Sequence, residues 1–288
     1  MTLFLNCRSQ SVGGAVIDPY ILEGDAMVSP PSVRAWRNED LAQQFNGFDG
    51  EDVLFVAHGF NVSYDSGARS AARLEAALAL TGHERFIGVL WPGDFWLPAV
   101  NYPFAGEPAM DAGKRIAAFC NTWMKNAASI SFVSHSLGAR VVLQAAEGLA
   151  RPAKTVCVTA GAVNSDCLAT EYAKARTNAA ATTTLASTSD HVLQLAFPLG
   201  DLFADLLDFD HGLGTPALGY WGPKKPVPPG VARSRIPQAL GYDHGNYMPP
   251  GAVAPVPAPP GAPPPDDRWR NVAAFMGRAF RGQTQTWP

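Results

Sequence analysis

The sequence predicts an α/β protein: a mostly parallel sheet with helices on both faces. Two observations carry that expectation. Between Asp52 and Asp190, short apolar runs rich in β-formers alternate with longer segments of helical period. The runs are apolar at successive positions rather than at every second one, as strands buried on both faces are.

The elements follow in order. Leu3 to Asn6 and Ala15 to Ile21 are expected as antiparallel strands at one edge. Asp52 to Ala57 (D-V-L-F-V-A) is a strand ending at His58-Gly59, and Ser63 to Leu80 is an uninterrupted helix. Arg85 to Trp91 is a strand stopped by Pro92-Gly93. Asp111 to Lys125 is a helix, Ser129 to Val133 a strand, and Leu137 to Ala150 a helix with Leu137, Val141, Val142, Ala145, Ala146 and Leu149 along one stripe. Thr155 to Thr159 is a strand, Leu168 to Arg176 a helix, and Thr182 to Ala186 a strand that ends near Asp190. Beyond it the pattern breaks. His191 to Phe209 is apolar but split by Pro198 and Gly200, and Gly212 to Pro237 is rich in Gly and Pro. Residues 1–288 read as one domain, with 191–240 a candidate cap or cover and 248–265 a Pro-rich excursion, either a flexible loop or a docked cover. Asp266 to Arg281 is a closing helix.

Composition narrows the function classes. The 288 residues carry a net charge of −3 and no long Lys/Arg run, which argues against a nucleic-acid partner. No window approaches the ~20 apolar residues of a membrane span. The start lacks the basic and apolar regions of a signal peptide, so the cytoplasm is the default expectation. Cys7, Cys120, Cys157 and Cys167 are widely spaced and read as buried thiols. H-E-x-x-H, C-x-x-C, H-x-H, the dinucleotide fingerprint and the P-loop pattern do not occur, so no metal site and no cofactor is expected.

The most informative stretch is Ser134-His135-Ser136-Leu137-Gly138, a variant of G-x-S-x-G placed after a strand and before a helix. That sharp turn projects Ser136 from the sheet as a candidate nucleophile. Ser134 takes the place of the usual first glycine. An acyl-transfer site also needs two N–H groups facing the developing oxyanion. One is expected from Leu137, after the nucleophile. The other is expected from the loop after the first central strand, His58-Gly59-Phe60-Asn61, with Phe60 first and Asn61 second. His58 is expected to hydrogen-bond that loop.

H-G-F-N, V-L-W-P, S-H-S-L-G-A-R-V-V-L and S-T-S-D-H-V-L together resemble a group of bacterial α/β-hydrolases of unknown function, over roughly Asp52 to Met248. The resemblance implies an eight-stranded, mostly parallel sheet and a Ser-Asp-His triad in that chain order. The order asks for an acid after Ser136: Asp190 fits, just past a strand, and Asp166 is its rival. Asp190 would equally serve as a helix N-cap. Among six histidines, His58 and His135 belong to the motifs, His83 lies at the wrong end of the sheet and His191 adjoins Asp190. His211 and His244 remain, and His244, in a Gly-rich turn before the last helix, is the expected base. Asp243 precedes it too closely to orient it.

Trp91, Phe95 and Trp96 cluster after a central strand and are candidates for a substrate pocket, although aromatics there more often belong to the core. The apolar stretch Leu193 to Phe209 and Trp221 suggest an uncharged or aromatic ester as the small-molecule substrate. No cluster of Arg and Lys marks a phosphate or carboxylate clamp. The expected activity is a serine hydrolase of carboxylic esters. An amide, thioester or lactone substrate, an acyltransfer reaction, or a catalytically silent binding module are the rivals.

Overall fold

A computed structural model describes residues 1–94, 106–194, 215–252, 266–283 and 286–287. Among them nine strands form one sheet in the order β3-β2-β1-β5-β4-β6-β7-β8-β9. The strands are β1 Thr2–Arg8, β2 Val16–Asp25, β3 Ser32–Ala35, β4 Asp52–Ala57, β5 Glu84–Leu90, β6 Ser129–His135, β7 Ala153–Thr159, β8 Ala179–Ala186 and β9 Val231–Arg235. The helices are α1 Leu41–Asn46, α2 Tyr64–Leu78, α3 Gly106–Trp123, α4 Gly138–Gly148, α5 Ala173–Thr177, α6 Leu218–Trp221 and α7 Trp269–Phe280.

From β1 across to β9 every neighbour pairs in parallel. Such strands need cover on both faces, and the sequence supplies it. Val53 to Ala57 and Phe86 to Leu90 are buried at every position. Helices α3 and α4 pack together, as do α2 and α7, and these pairs bury their small and apolar sides on the sheet. The Ser63 hydroxyl accepts from the Ser66 N–H and caps α2. Cys7, Cys120, Cys157 and Cys167 are free, buried thiols, and burial raises each pKa, that of Cys157 to about 12.

Three sequence expectations change. The sheet has nine strands rather than eight. The first two strands do pair antiparallel on one side of the sheet, but β1 is not at its edge: it also pairs in parallel with β5, and β3 extends the antiparallel part outward from β2. Five consecutive buried residues, Phe4 to Arg8 with the polar Asn6 and Arg8 among them, are what an internal strand shows. The third change is the helix expected over Leu168 to Arg176. It shrinks to α5, because residues 167–172 fold as tight turns and the Arg176 guanidinium, not a helical amide, takes the Leu168 carbonyl at 3.0 Å.

Inside the stretch read as a candidate cap, residues 231–235 are the ninth strand, and 195–214 lie outside the described residues. Of the Pro-rich stretch, 253–265 lie outside them too. Its first residues dock on α2: Ser70 Oγ donates to the Pro249 carbonyl at 2.7 Å and Arg69 Nε to that of Gly251 at 2.8 Å.

One feature of the topology positions the site. The chain passes from β4 to β5 on one side and then to β6 on the other, so β4 and β6 flank the point where strand order reverses. In open α/β sheets, ligands bind beyond the strand C-termini at such a point.

Candidate active site

Strand β6 runs into α4 through two residues, Ser136 and Leu137, and Ser136 is held at φ 54°. Left-handed backbone costs a non-glycine residue on the order of 1 kcal/mol or more and persists only where surroundings enforce it. Here they do. The Ser136 N–H donates to the Thr159 carbonyl at 3.1 Å, and its own carbonyl accepts from Ala139 and Ala162 at 3.0 and 3.1 Å. The turn also brings α4 hard against the end of β4. A Cβ at Gly138 would lie 2.5 Å from the His58 carbonyl oxygen, so this position excludes every larger residue. Ser134, the variant position, is fully buried.

The loop after β4 packs on this turn. A Cβ at Gly59 would lie 2.9 Å from the Ser136 Cβ and 3.1 Å from His135 Nδ1. Phe60 follows, packed partly into the core. The Asn61 N–H is taken: it donates to the Gly93 carbonyl at 2.7 Å. Leu137 stands at the start of α4, one residue past Ser136. His58 holds the loop as expected. Its Nδ1–H donates to the Gly59 carbonyl at 2.9 Å, and burial pushes its pKa down to about 4, so it stays neutral at pH 7.

Beside this loop lies a brace that nothing in the sequence signals. Arg8, fully buried at the end of β1, forms an ion pair with Asp94 and donates to the carbonyls of Gln10, Ser11 and Val62. It ties the ends of β1 and β5 to the loop that follows β4. Burying an unpaired guanidinium would be prohibitive, and this one has an acid and three carbonyl acceptors.

His244 reaches the same spot from a turn at residues 244–246. Its Nδ1 lies 2.8 Å from Asp190 Oδ2 and its Nε2 lies 2.8 Å from Ser136 Oγ. An ionised carboxylate only accepts, so Nδ1 carries the proton and donates to Asp190, which leaves Nε2 to accept from the serine hydroxyl. Asp190 is fully buried, and its other oxygen accepts from the Leu193 N–H at 2.9 Å. Asp190 thus meets the Leu193 N–H with one oxygen and the His244 imidazole with the other. Asp166, the rival acid, pairs instead with Lys224 at 3.2 Å.

The turn is secured by side chains. Asp243 Oδ1 accepts from the His244 and His191 N–H groups at 2.8 and 3.0 Å, and Asn246 accepts from the Asp243 N–H at 2.7 Å. The Ser187 hydroxyl donates to the Tyr242 carbonyl at 2.7 Å. His135 closes the turn from the elbow side. Its Nε2–H donates to the His244 carbonyl at 3.1 Å, and its ring stacks on Tyr247 at 5.9 Å. Burial, followed by the neighbouring His244, holds the His135 pKa well below the usual histidine range. The motif position of His135 was visible in the sequence; its bond to a carbonyl 109 residues away was not.

Of the aromatic candidates, Trp91 is fully buried, donates from Nε1 to the His58 carbonyl at 2.8 Å and stacks on the His58 ring. It supports the end of β4, in keeping with the core reading. Phe95, Trp96 and the second histidine candidate, His211, lie outside the described residues.

A parallel sheet whose central strand delivers a serine through a left-handed turn into a helix is the α/β-hydrolase arrangement. A family model described as alpha/beta hydrolase of unknown function (DUF900) matches residues 33–201, more than half of the chain, and the chain belongs to that family. No curated protein sequence matches it. Among solved structures it is similar to esterase PE8, at 16% identity and a TM-score of 0.41 over 80% of this chain and 94% of that one. It is also similar to carboxyl esterase 2 of the mycorrhizal fungus Tuber melanosporum, at 13% identity and a TM-score of 0.42 over 97% and 90%. A third is dipeptidyl peptidase 4 of Porphyromonas gingivalis, at 10% identity and a TM-score of 0.35 over 80% and 39%. Likeness this distant carries nothing about substrate.

Proposed function

We propose that the chain is a serine hydrolase that cleaves carboxylic esters through an acyl-enzyme. The observation that carries this reading is the continuous row Ser136–His244–Asp190, with 2.8 Å at both contacts. A serine hydroxyl is a weak nucleophile at neutral pH and needs a base in hydrogen-bond reach, itself oriented by a third group. In the proposed cycle, His244 Nε2 takes the Ser136 proton as Oγ attacks the acyl carbon. The ester carbonyl becomes an oxyanion, held by the N–H groups of Phe60 and Leu137. When it collapses, the bond to the alkoxy oxygen breaks and His244 delivers its proton to the departing alcohol. Water, deprotonated by His244, then releases the acid and restores Ser136. Asp190 keeps the imidazole in the tautomer this requires and stabilises it when charged. No cofactor enters the cycle. The apolar character of residues 193–209 points to an apolar or aromatic ester.

The test is labelling with a fluorophosphonate, mapped by mass spectrometry, with Ser136→Ala as control. Stoichiometric modification at Ser136, lost in the variant, is the expected result and leads directly to a panel of esters. If folded protein takes up no label, the row is not an activated serine, and a catalytically silent binding module becomes the better account.

A further inference from the structure

A second concave surface lies at the β9 edge of the sheet, built from residues that the Ser136 row does not use. It is an open groove of about 550 Å³, lined in part by Ser165, Trp221, Lys224, Lys225, Arg233 and Arg235. Residues two apart on a strand share a face, so Arg233 and Arg235 project together while Ser234 between them is buried. Both guanidinium groups donate to one carbonyl, that of Trp221, at 3.0 and 2.6 Å. The Arg235 guanidinium also sits 5.3 Å from the centroid of the Trp221 ring, which is itself 48% exposed.

The charges do not balance. Lys224 pairs with Asp166, but no carboxylate among the described residues lies within ion-pair distance of Lys225, Arg233 or Arg235. Four cations and one acid leave three positive charges in excess, on a chain whose net charge is −3. Partial burial, followed by the charge of Arg233, lowers the pKa of Arg235. Two like charges held on one neutral acceptor repel each other, and an anion would relieve that repulsion. Each guanidinium has five N–H donors in a fixed fork and keeps some for a ligand.

We propose that this groove binds a phosphate monoester. Arg233 and Arg235 grip the phosphate oxygens, Lys225 adds charge, and the exposed indole of Trp221 receives a flat or apolar group beside it. The excess of three charges favours a dianion over a monocarboxylate. Trp221 to Lys225 and Arg233 to Arg235 are separate in sequence, and only the pairing of β9 with β8 brings them to one groove, so the sequence shows no clamp. The competing account is a charged edge strand that merely repels strand addition, which needs no ligand.

Titration calorimetry on the full chain at pH 7.5, above the second phosphate pKa of about 6, tests the proposal with phenyl phosphate and with benzoate. Co-sedimentation with phosphatidylcholine vesicles, with and without phosphatidic acid, separates a lipid phosphate from a soluble one. Saturable 1:1 binding of phenyl phosphate is expected, with benzoate weaker. The Arg233→Gln/Arg235→Gln double variant should weaken it at least about tenfold, the scale of losing charge-assisted hydrogen bonds. Binding only to phosphatidic acid vesicles, lost in the same variant, supports the site and places the phosphate on a lipid. Absence of both kinds of binding overturns the proposal, as does binding that the double variant retains. Arg233 and Arg235 lie on the exposed face of the edge strand β9, so the double variant should stay folded, with a melting temperature close to that of wild type. Lys225→Gln gives a second, milder check. Labelling at Ser136 reads a different site, and neither result depends on the other.

Discussion

Ser136 and His244 meet at 2.8 Å, yet the molecule holds the two by unlike means. Ser136 is fixed by backbone: a left-handed turn between β6 and α4, with its N–H and carbonyl both bonded to neighbouring main chain. His244 is fixed by side chains. Asp190 holds its ring, Asp243 its N–H and His135 its carbonyl. The serine side inherits rigidity from the sheet, where pairing and packing are cooperative. The histidine stands on a turn outside the sheet and is held by polar side-chain contacts, one of them from His135 at the end of β6, each removable by a single substitution. The two sides should therefore fail differently.

Asp190→Asn should show the largest effect. Asparagine keeps an oxygen to cap the Leu193 N–H, so the fold should survive. Its amide nitrogen, however, donates where the carboxylate accepted, which favours the wrong tautomer of His244. Removing the carboxylate from such a row costs about 10⁴ in kcat. The measurement is kcat on an ester of the proposed class, with the melting temperature as control. A loss under tenfold would mean that the other contacts of the turn are enough to set the imidazole.

Gly59→Ala probes the serine side. The added methyl would press on the Ser136 Cβ and on His135 Nδ1, at 2.9 and 3.1 Å, and both lie on a turn that backbone bonds hold in place. The loop, not the turn, must then shift, and the Phe60 N–H shifts with it. Mispositioning one oxyanion donor is expected to lower kcat by about 10²–10³. Fluorophosphonate labelling should slow in parallel, because its phosphoryl oxygen uses the same donors. Full activity in this variant would remove Phe60 from the proposed site.

The same contrast explains what was legible in the sequence. Ser136 sits in a local pattern, a strand, a small-residue turn and a helix, whose physics is complete within about fifteen residues. Strands β4 to β8 were equally readable, since each carries its own apolar run. His244 and Asp190 are singled out only through the chain order that the family resemblance implies, and the sequence offers no trace of Asp243, Asn246 and Ser187 as supports of that turn. The Arg8–Asp94 pair was invisible for the same reason: 86 residues separate the partners, and each alone looks like an ordinary surface charge. Strands β3 and β9 escaped because S-V-R-A and V-A-R-S-R are short and polar and become strands by pairing with β2 and β8.

The smallest effect sharpens the comparison through pH. Each side rests on one buried neutral histidine, His58 under the serine loop and His135 against the histidine turn. In the unfolded chain both titrate near 6.5. In the folded protein His58 titrates at about 4 and His135 also far below its usual range, burial being the first cause of each. The unfolded state thus binds more protons than the native state throughout the window from about 6.5 down to 4. Stability is then fully present above pH 6.5 and falls as the pH drops through that window. For His58 the loss is on the order of 3 kcal/mol by pH 4. Urea denaturation at intervals from pH 7 to 4 measures the slope. His58→Gln and His135→Gln should each be less stable at pH 7 and each flatten the curve. Variant curves that run parallel to wild type would show that acid acts on groups other than these two histidines.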